Sequence, residues 1–133
     1  MVQRRPIVYL STDNDDGNDL YQLAYSFFKE MGFEIKEQIT LIGTSGKRYQ
    51  FDMAIKTNLD DLEINEVLVK IINWKRAVGV DRLIRLERIL NDLQNRKGLV
   101  ISNSFSEPAI KFAKKHGLIT YQRKHLHPLS DYK

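Results

Sequence analysis

Three ionisable residues stand out because they interrupt apolar, strand-like stretches of the sequence. Glu66 and Lys70 fall on one side of the run EVLVKII, in which alternate side chains project to opposite faces of a strand. Asp52 interrupts the preceding apolar run, residues 49–55. Ionisable groups inside a hydrophobic sheet are costly unless they are used or paired. We therefore take Asp52, Glu66 and Lys70 as candidate site residues.

Two of these residues also have structural interpretations. Glu66 could extend toward Asp52 from one pleat back, about 7 Å along the strand, or it could begin the strand, solvated at the edge of the sheet. Lys70 could serve a site or pair with Asp52 as a structural ion pair, and a buried pair of that kind is weak evidence of stability. The sequence leaves both alternatives open.

The hydrophobic pattern predicts the elements that must position these residues. In order, they are a helix from Asp19 to Gly32, strands over 33–41, 49–55 and 66–72, a helix over 79–96, a strand over 98–102, a helix from Ser106 to Gly117 and a strand over 118–121. This order, αβββαβαβ, predicts an α/β three-layer sandwich in which helices flank a central mixed sheet of four to five strands.

Length and composition predict one cytoplasmic domain. The chain has 133 residues, no cysteine and no apolar stretch long enough to span a membrane. The apolar run near its start is too short for a signal peptide and is a candidate edge strand over 7–10. We expect an N-terminal extension over 1–16, the domain over 17–121 and a basic tail over 122–133.

The charge is distributed unevenly along the chain. Residues 1–66 hold 7 Lys/Arg and 12 Asp/Glu, a net charge of −5, whereas residues 67–133 hold 14 Lys/Arg and 5 Asp/Glu, a net charge of +9. A basic half suggests a polyanionic partner, most simply nucleic acid. On charge alone, a lysine-rich soluble surface explains the asymmetry equally well.

Three other motifs do not support the chemistry that they suggest. The acidic stretch DNDDGND lacks the acids that a calcium loop requires at its first and twelfth positions, and the turn GTSGK lacks the glycine spacing of a phosphate-binding loop. His125 and His127 could converge on a metal, but nothing nearby completes such a site. We interpret the acidic stretch as a turn and helix N-terminus, the run GTSGK as a turn and the histidine pair as part of a solvated tail.

The second half of the chain resembles the Mrr branch of the PD-(D/E)XK nucleases. The run NWKRAVGV matches the basic, tryptophan-containing elbow that follows the catalytic strand in that family. The run GLVISNSFSEPAIKFAKKHGLITY then matches a glycine-led strand, a turn and a helix with spaced alanines, through Asn103, Phe105, Ala109 and Ala113. The resemblance covers roughly residues 17–121 and implies a restriction endonuclease-like fold.

The resemblance also implies chemistry. Family members cleave DNA with Mg²⁺ or Mn²⁺, held by an Asp in the second strand and a Glu or Gln in the third, with a Lys two residues later. Such oxygen ligands suit a hard cation that activates water. Carried over, Asp52 and Glu66 would hold the metal and Lys70 would assist the attack of water. The residues that would contact the backbone of double-stranded or branched DNA are Lys75, Arg76, Arg82 and Arg85, and a homodimer would supply one site per strand.

This sequence departs from the family pattern in the third strand and the first helix. Aligned on Asn73 and Trp74, the match places Lys70 at the acid position and Ile72 at the lysine position; a shift of two residues restores Lys70 as the lysine but leaves Leu68 in place of the acid. In the first helix the usual Glu position falls on Tyr21, with Asp19 or Gln22 as substitutes.

Two classes of function are consistent with these observations. The first is a Mg²⁺-dependent DNA endonuclease. The second is a DNA-binding or assembly module that kept the fold and lost cleavage, which would explain the altered acid position directly. A weaker third hypothesis is a protein-interaction domain whose basic helix faces an acidic partner. Trp74 is expected to pack at the end of the strand, although stacking on a base is an alternative.

Overall fold

The computed structural model describes residues 15–57 and 66–126, and within them the predicted order of elements is confirmed. The elements are α1 (Asp15–Glu30), β1 (Phe33–Ile42), β2 (Arg48–Thr57), β3 (Val67–Ile72), α2 (Val80–Asp92), β4 (Lys97–Ser102), α3 (Glu107–His116), β5 (Ile119–Gln122) and a 3₁₀ turn, Arg123–His125. The strand predicted over 7–10 lies outside the described residues. So does His127, the second histidine of the pair in the predicted tail.

The five strands form one mixed sheet in the order β1-β2-β3-β4-β5. Neighbours are antiparallel from β1 to β3 and parallel from β3 to β5. Each parallel pair is joined through a helix, because parallel strands need a long crossover. The carboxyl ends of β3, β4 and β5 therefore meet at one edge of the sheet. The predicted three-layer α/β sandwich is confirmed.

A separate apolar core fills each face of the sheet. The core beneath α1 contains the buried residues Leu20, Ala24, Phe28, Met53, Ile55, Val69, Leu99, Ile101 and Leu126. The core beneath α2 and α3 includes Phe51, Ala54, Leu68, Ile72, Leu83, Leu86, Leu90, Val100, Phe105, Ala109 and Ala113. The landmark residues Phe105, Ala109 and Ala113 are thus packing residues.

The β1–β2 hairpin changes faces halfway along its length. Its inner half, with Phe33 and Ile35, packs under α1, whereas its outer half, with Ile39 and Leu41, packs against the α2 side. Between the two halves Gln38 adopts a left-handed φ of 51°, a conformation that costs a residue with a Cβ about 1 kcal/mol. The hairpin therefore twists at this point.

The twist in the hairpin coincides with the place where β2 leaves β3. The pairing of β2 with β3 ends at Met53 and Val69. We call the opening beyond this pair the strand fork. Asp52 is the next residue of β2, so it lies in the strand fork between the two faces of the sheet.

The two later helices end for identifiable reasons. Ser106 caps α3 by accepting a hydrogen bond from the Ala109 N–H at 3.2 Å, and Gly117 ends it with a left-handed φ of 75°, as predicted. The prediction that α2 continues to residue 96 is wrong. Gln94 and Asn95 adopt left-handed conformations, so the helix stops at Asp92.

Candidate active site

Asp52 projects into the strand fork and binds the backbone of β3. Its Oδ2 accepts a hydrogen bond from the Ile71 N–H at 2.7 Å. Burial raises the pKa of Asp52 above its ordinary value of 3.8, although the Ile71 N–H and the positive charge of Lys70 act in the opposite direction. The surroundings therefore compensate the ionised carboxylate only in part, and a further cation would stabilise it.

Lys70 faces Asp52 across the strand fork, since each residue follows the last β2–β3 pair. The Lys70 ammonium donates a hydrogen bond to the Gln50 carbonyl oxygen at 2.8 Å and lies 5.5 Å from the ring centroid of Phe51. Lys70 and Asp52 do not form a direct ion pair. The structure thus brings together two of the three predicted residues without joining them in the structural ion pair that was the alternative.

Glu66 lies apart from these two residues. Its carboxylate forms ion pairs with Arg96 and, at 3.5 Å, with Lys36. It is four residues from Lys70, a separation of about 13 Å along an extended chain. The structure does not bring Glu66 to Asp52, and it does not leave Glu66 solvated either, because the side chain is only 21% exposed.

Two residues that the sequence analysis did not select lie on the α1 side of the strand fork. The Tyr21 hydroxyl donates a hydrogen bond to the Glu37 carboxylate at 2.5 Å. Burial raises the pKa of Tyr21, as do this hydrogen bond and the negative charges of Glu37 and Asp52. Tyr21 therefore stays a hydrogen-bond donor near Asp52. Tyr21 could have been selected from the sequence, because it aligns with the usual Glu position in the first helix of the family. Nothing in the sequence marked Glu37.

The oxygen ligands available at the strand fork fit a metal ion that is coordinated jointly by the protein and by a bound ligand. Within residues 15–57 and 66–126, no three His, Asp or Glu side chains converge to form a metal cage. Mg²⁺, however, usually keeps several waters and binds through one or two carboxylates together with phosphate oxygens. One partly buried, under-compensated carboxylate is consistent with that mode of binding, so Asp52 is the residue that would hold the ion.

The basic elbow after β3 is organised around Trp74. Trp74 packs against the core beneath α2, as predicted, and the guanidinium carbons of Arg76 and Arg82 lie 4.1 and 5.0 Å from its ring centroid. Such cation–π contacts hold the two side chains near the strand end. Arg85 and Arg82 line a cavity beside Lys70. In the described part of the chain, no acid pairs with Lys75, Arg76, Arg82 or Arg85.

A hydrogen-bonded chain, which we call the latch, fixes the elbow at the carboxyl ends of the parallel strands. Asn103 donates to Asn73 Oδ1 and to the Trp74 carbonyl, both at 2.8 Å. Arg123 then donates to Asn103 Oδ1 at 2.8 Å and to Asp19 at 2.6 Å. The latch therefore includes Asp19, near the start of α1, which is paired with Arg123.

Comparison with known proteins identifies the family. Residues 12–130 match the Mrr_cat family model, which describes a restriction endonuclease. The chain therefore belongs to this restriction endonuclease family, and the resemblance found in the sequence is confirmed.

Solved structures share the fold. One is a protein of unknown function, AF1548, with a TM-score of 0.64 and 16% sequence identity; the match covers 76% of this chain and 56% of that chain. Another is a repair endonuclease from Pyrococcus abyssi, with a TM-score of 0.57 and 20% identity; the match covers 90% of this chain and 49% of that chain. A third is EndoMS in complex with double-stranded DNA, with a TM-score of 0.54 and 18% identity; the match covers 96% of this chain and 49% of that chain. The chain spans about half the length of these proteins. No curated protein sequence matches it.

The family model and the shared fold together define a restriction endonuclease-like domain. None of the helices in the described segments is long and apolar enough to cross a membrane.

Proposed function

We propose that this domain hydrolyses DNA phosphodiester bonds with a divalent cation, Mg²⁺ or Mn²⁺, at a site centred on Asp52 and Lys70. The observation that carries the proposal is the position of Asp52, a partly buried carboxylate in the strand fork whose pKa is raised by burial and which the positive charge of Lys70 stabilises only in part. Nucleases of the restriction endonuclease type generally use divalent metals, which fits this donor.

Each residue of the site has a separate task. The Ile71 N–H fixes one oxygen of Asp52, which leaves the other oxygen for the cation. When bound, the cation supplies charge neutralisation at the phosphate and activation of water. Lys70, steered by the Gln50 carbonyl, stabilises the negative charge that develops on phosphate oxygens. Tyr21 anchors Glu37 and closes the α1 side of the strand fork.

The elbow and α2 supply the contacts with the DNA backbone. Of the four basic residues that the sequence selected, Lys75 and Arg76 lie in the elbow after β3. Arg82 and Arg85 lie in the first half of α2, where they share a cavity with Lys70. Phosphate contacts of this kind make binding strongly dependent on salt. A cytoplasmic location and a homodimer with one site for each strand complete the proposal.

The proposal is tested by calorimetric titration of Mg²⁺ and Mn²⁺ in the presence of an uncleavable duplex whose phosphate oxygens are intact. We expect the wild type to bind the cation and Asp52→Asn to lose that binding. Glu66→Gln is the matched control, because it also converts a carboxylate into an amide but lies outside the strand fork, and it should bind as the wild type does. DNA binding without any cation binding that depends on Asp52 would refute cleavage and leave a binding module.

A further inference from the structure

A small cavity between β3 and α2 has an apolar floor and a cationic rim. Its volume is about 40 Å³. The floor is formed by Ile72, Leu83, Leu86, Ile89 and Val100. The rim is formed by Lys70 from the sheet and by Arg82 and Arg85, which are three residues apart and therefore lie on one face of α2. Among the described residues, none of the acidic side chains lines the cavity.

In the described part of the chain, no acid neutralises the positive charges of the two arginines in the rim. Across residues 15–57 and 66–126, neither Arg82 nor Arg85 forms an ion pair with an acid, and the described contact of Arg82 is with the ring of Trp74. Like charges repel more strongly beside an apolar floor, because the local dielectric constant is lower than that of water. An anion bound in the cavity would remove this repulsion.

We infer that the cavity is a phosphate-binding subsite for a phosphate of the DNA strand other than the one at Asp52. Guanidinium groups bind phosphate through paired N–H donors. At roughly 10–15 Å³ for each water, the cavity has the volume of about three waters, which admits phosphate oxygens but not a nucleobase. Lys70 belongs to both sites, so the subsite adjoins the strand fork. The DNA source rests on the proposed function; the recognition of phosphate does not.

The chain carries its own reporter for this subsite. Trp74 is the only tryptophan, and the guanidinium of Arg82 lies over its ring. Phosphate that binds to Arg82 changes the charge beside the indole ring and therefore its fluorescence emission. Trp74 forms cation–π contacts with Arg76 and Arg82 and none with Arg85, so substitution at Arg85 weakens the subsite while leaving these two contacts with the ring in place.

The first experiment uses inorganic phosphate without metal or DNA. Trp74 emission is followed as phosphate replaces chloride at constant ionic strength. We expect a saturable change in the wild type and in Arg88→Gln, which removes the same charge from an exposed position of α2 outside the cavity. Arg85→Gln should bind about tenfold more weakly, the effect of losing one charge-assisted contact. A response that does not saturate, or equal weakening in the two variants, would overturn the inference.

The second experiment identifies which phosphate occupies the subsite. Binding is measured for duplexes with 5′-phosphate ends, duplexes with 5′-hydroxyl ends and a covalently closed circle. If Arg85→Gln weakens binding more than Arg88→Gln only for duplexes with 5′-phosphate ends, the subsite holds a terminal phosphate. If it does so for all three DNAs, the subsite holds a backbone phosphate. No excess weakening with any DNA would contradict the inference. Neither experiment requires cleavage, so failure of the proposed hydrolysis would be seen separately.

Discussion

Asp52 and Asp92 are two carboxylates on the same sheet-and-helix framework with opposite surroundings. Asp52 accepts one hydrogen bond from the backbone, and burial raises its pKa. Asp92, at the end of α2, accepts hydrogen bonds from Thr44 Oγ1, the Ser45 N–H and Oγ, and the Tyr49 hydroxyl. The hydroxyls of Ser45, Thr44 and Tyr49 hold the pKa of Asp92 well below its usual range.

The difference separates a structural carboxylate from one that is available for chemistry. The Asp92 anion is satisfied by its donors, and it fastens the tip of the β1–β2 hairpin to α2. The approach is close: a Cβ added at Gly43 would lie 2.2 Å from Asp92 Oδ2, so a larger residue here would displace the Asp92 carboxylate. The neighbours of Asp52 compensate its negative charge only in part, and carboxylates whose pKa is shifted in this way are concentrated at functional sites.

The largest expected effect distinguishes the two residues by activity. Asp52→Asn should lower the rate of DNA cleavage by about 100-fold or more, because it removes the charge that would hold the cation. Asp92→Asn should keep the rate within about threefold, since it lies outside the strand fork. Initial rates on supercoiled plasmid with Mg²⁺ or Mn²⁺ measure both. Similar losses in the two variants would contradict the assignment.

The second effect is a pair of pH dependences with opposite sign. The pKa of Asp52 is raised on folding, so its contribution to stability is present below 3.8 and is lost as the pH rises through the folded pKa. The pKa of Asp92 is lowered, so its contribution is present above 3.8 and is lost as the pH falls through the folded pKa. Asp52→Asn should therefore gain stability relative to the wild type as the pH rises, whereas Asp92→Asn should lose it.

Urea unfolding across the acid to neutral range, with chelator present, measures both differences from the wild type. Parallel pH dependences in the two variants would show that the two carboxylates are not in opposite environments. A gain in stability at neutral pH together with loss of cleavage would mark Asp52 as a residue kept for function at a cost in stability.

The smallest expected effect concerns Glu66, a third carboxylate that resembles Asp92 in being paired. Glu66→Gln should lower the free energy of unfolding by about 1 kcal/mol through its ion pair with Arg96, and it should leave cleavage unchanged. Chemical denaturation and the plasmid assay measure the two quantities. A loss of cleavage as large as that of Asp52→Asn would return Glu66 to the site.

Much of the fold could be predicted because its elements have strong local patterns. The apolar stripe of α1 and the serine cap and glycine end of α3 are visible in the sequence, and the structure confirms them. The face change of the hairpin could not be predicted. Apolar residues occupy every second position from Tyr49 to Ile55, which indicates a single buried face, whereas the left-handed Gln38 carries no signal of the kind that glycine gives.

The candidate site could be predicted only in part, for a similar reason. Asp52 and Lys70 interrupt apolar runs, so their types alone made them conspicuous. The partner of Glu66 is 30 residues away in the sequence, and the pairing of Tyr21 with Glu37 depends on how α1 crosses the hairpin. Strand periodicity placed Glu66 on the face of Lys70 but could not supply the register that separates Glu66 from Asp52.

The latch has a consequence for the order of folding. Its Asp19–Arg123 contact joins residues 104 positions apart, whereas the β1–β2 hairpin pairs neighbouring segments. Contacts that close long loops form slowly, because the entropy of closure must be lost before they stabilise the chain. The hairpin that carries Asp52 is therefore expected to form early, and the basic elbow is expected to settle last. A refolding chain would regain its buried cores before the basic elbow is fixed in place.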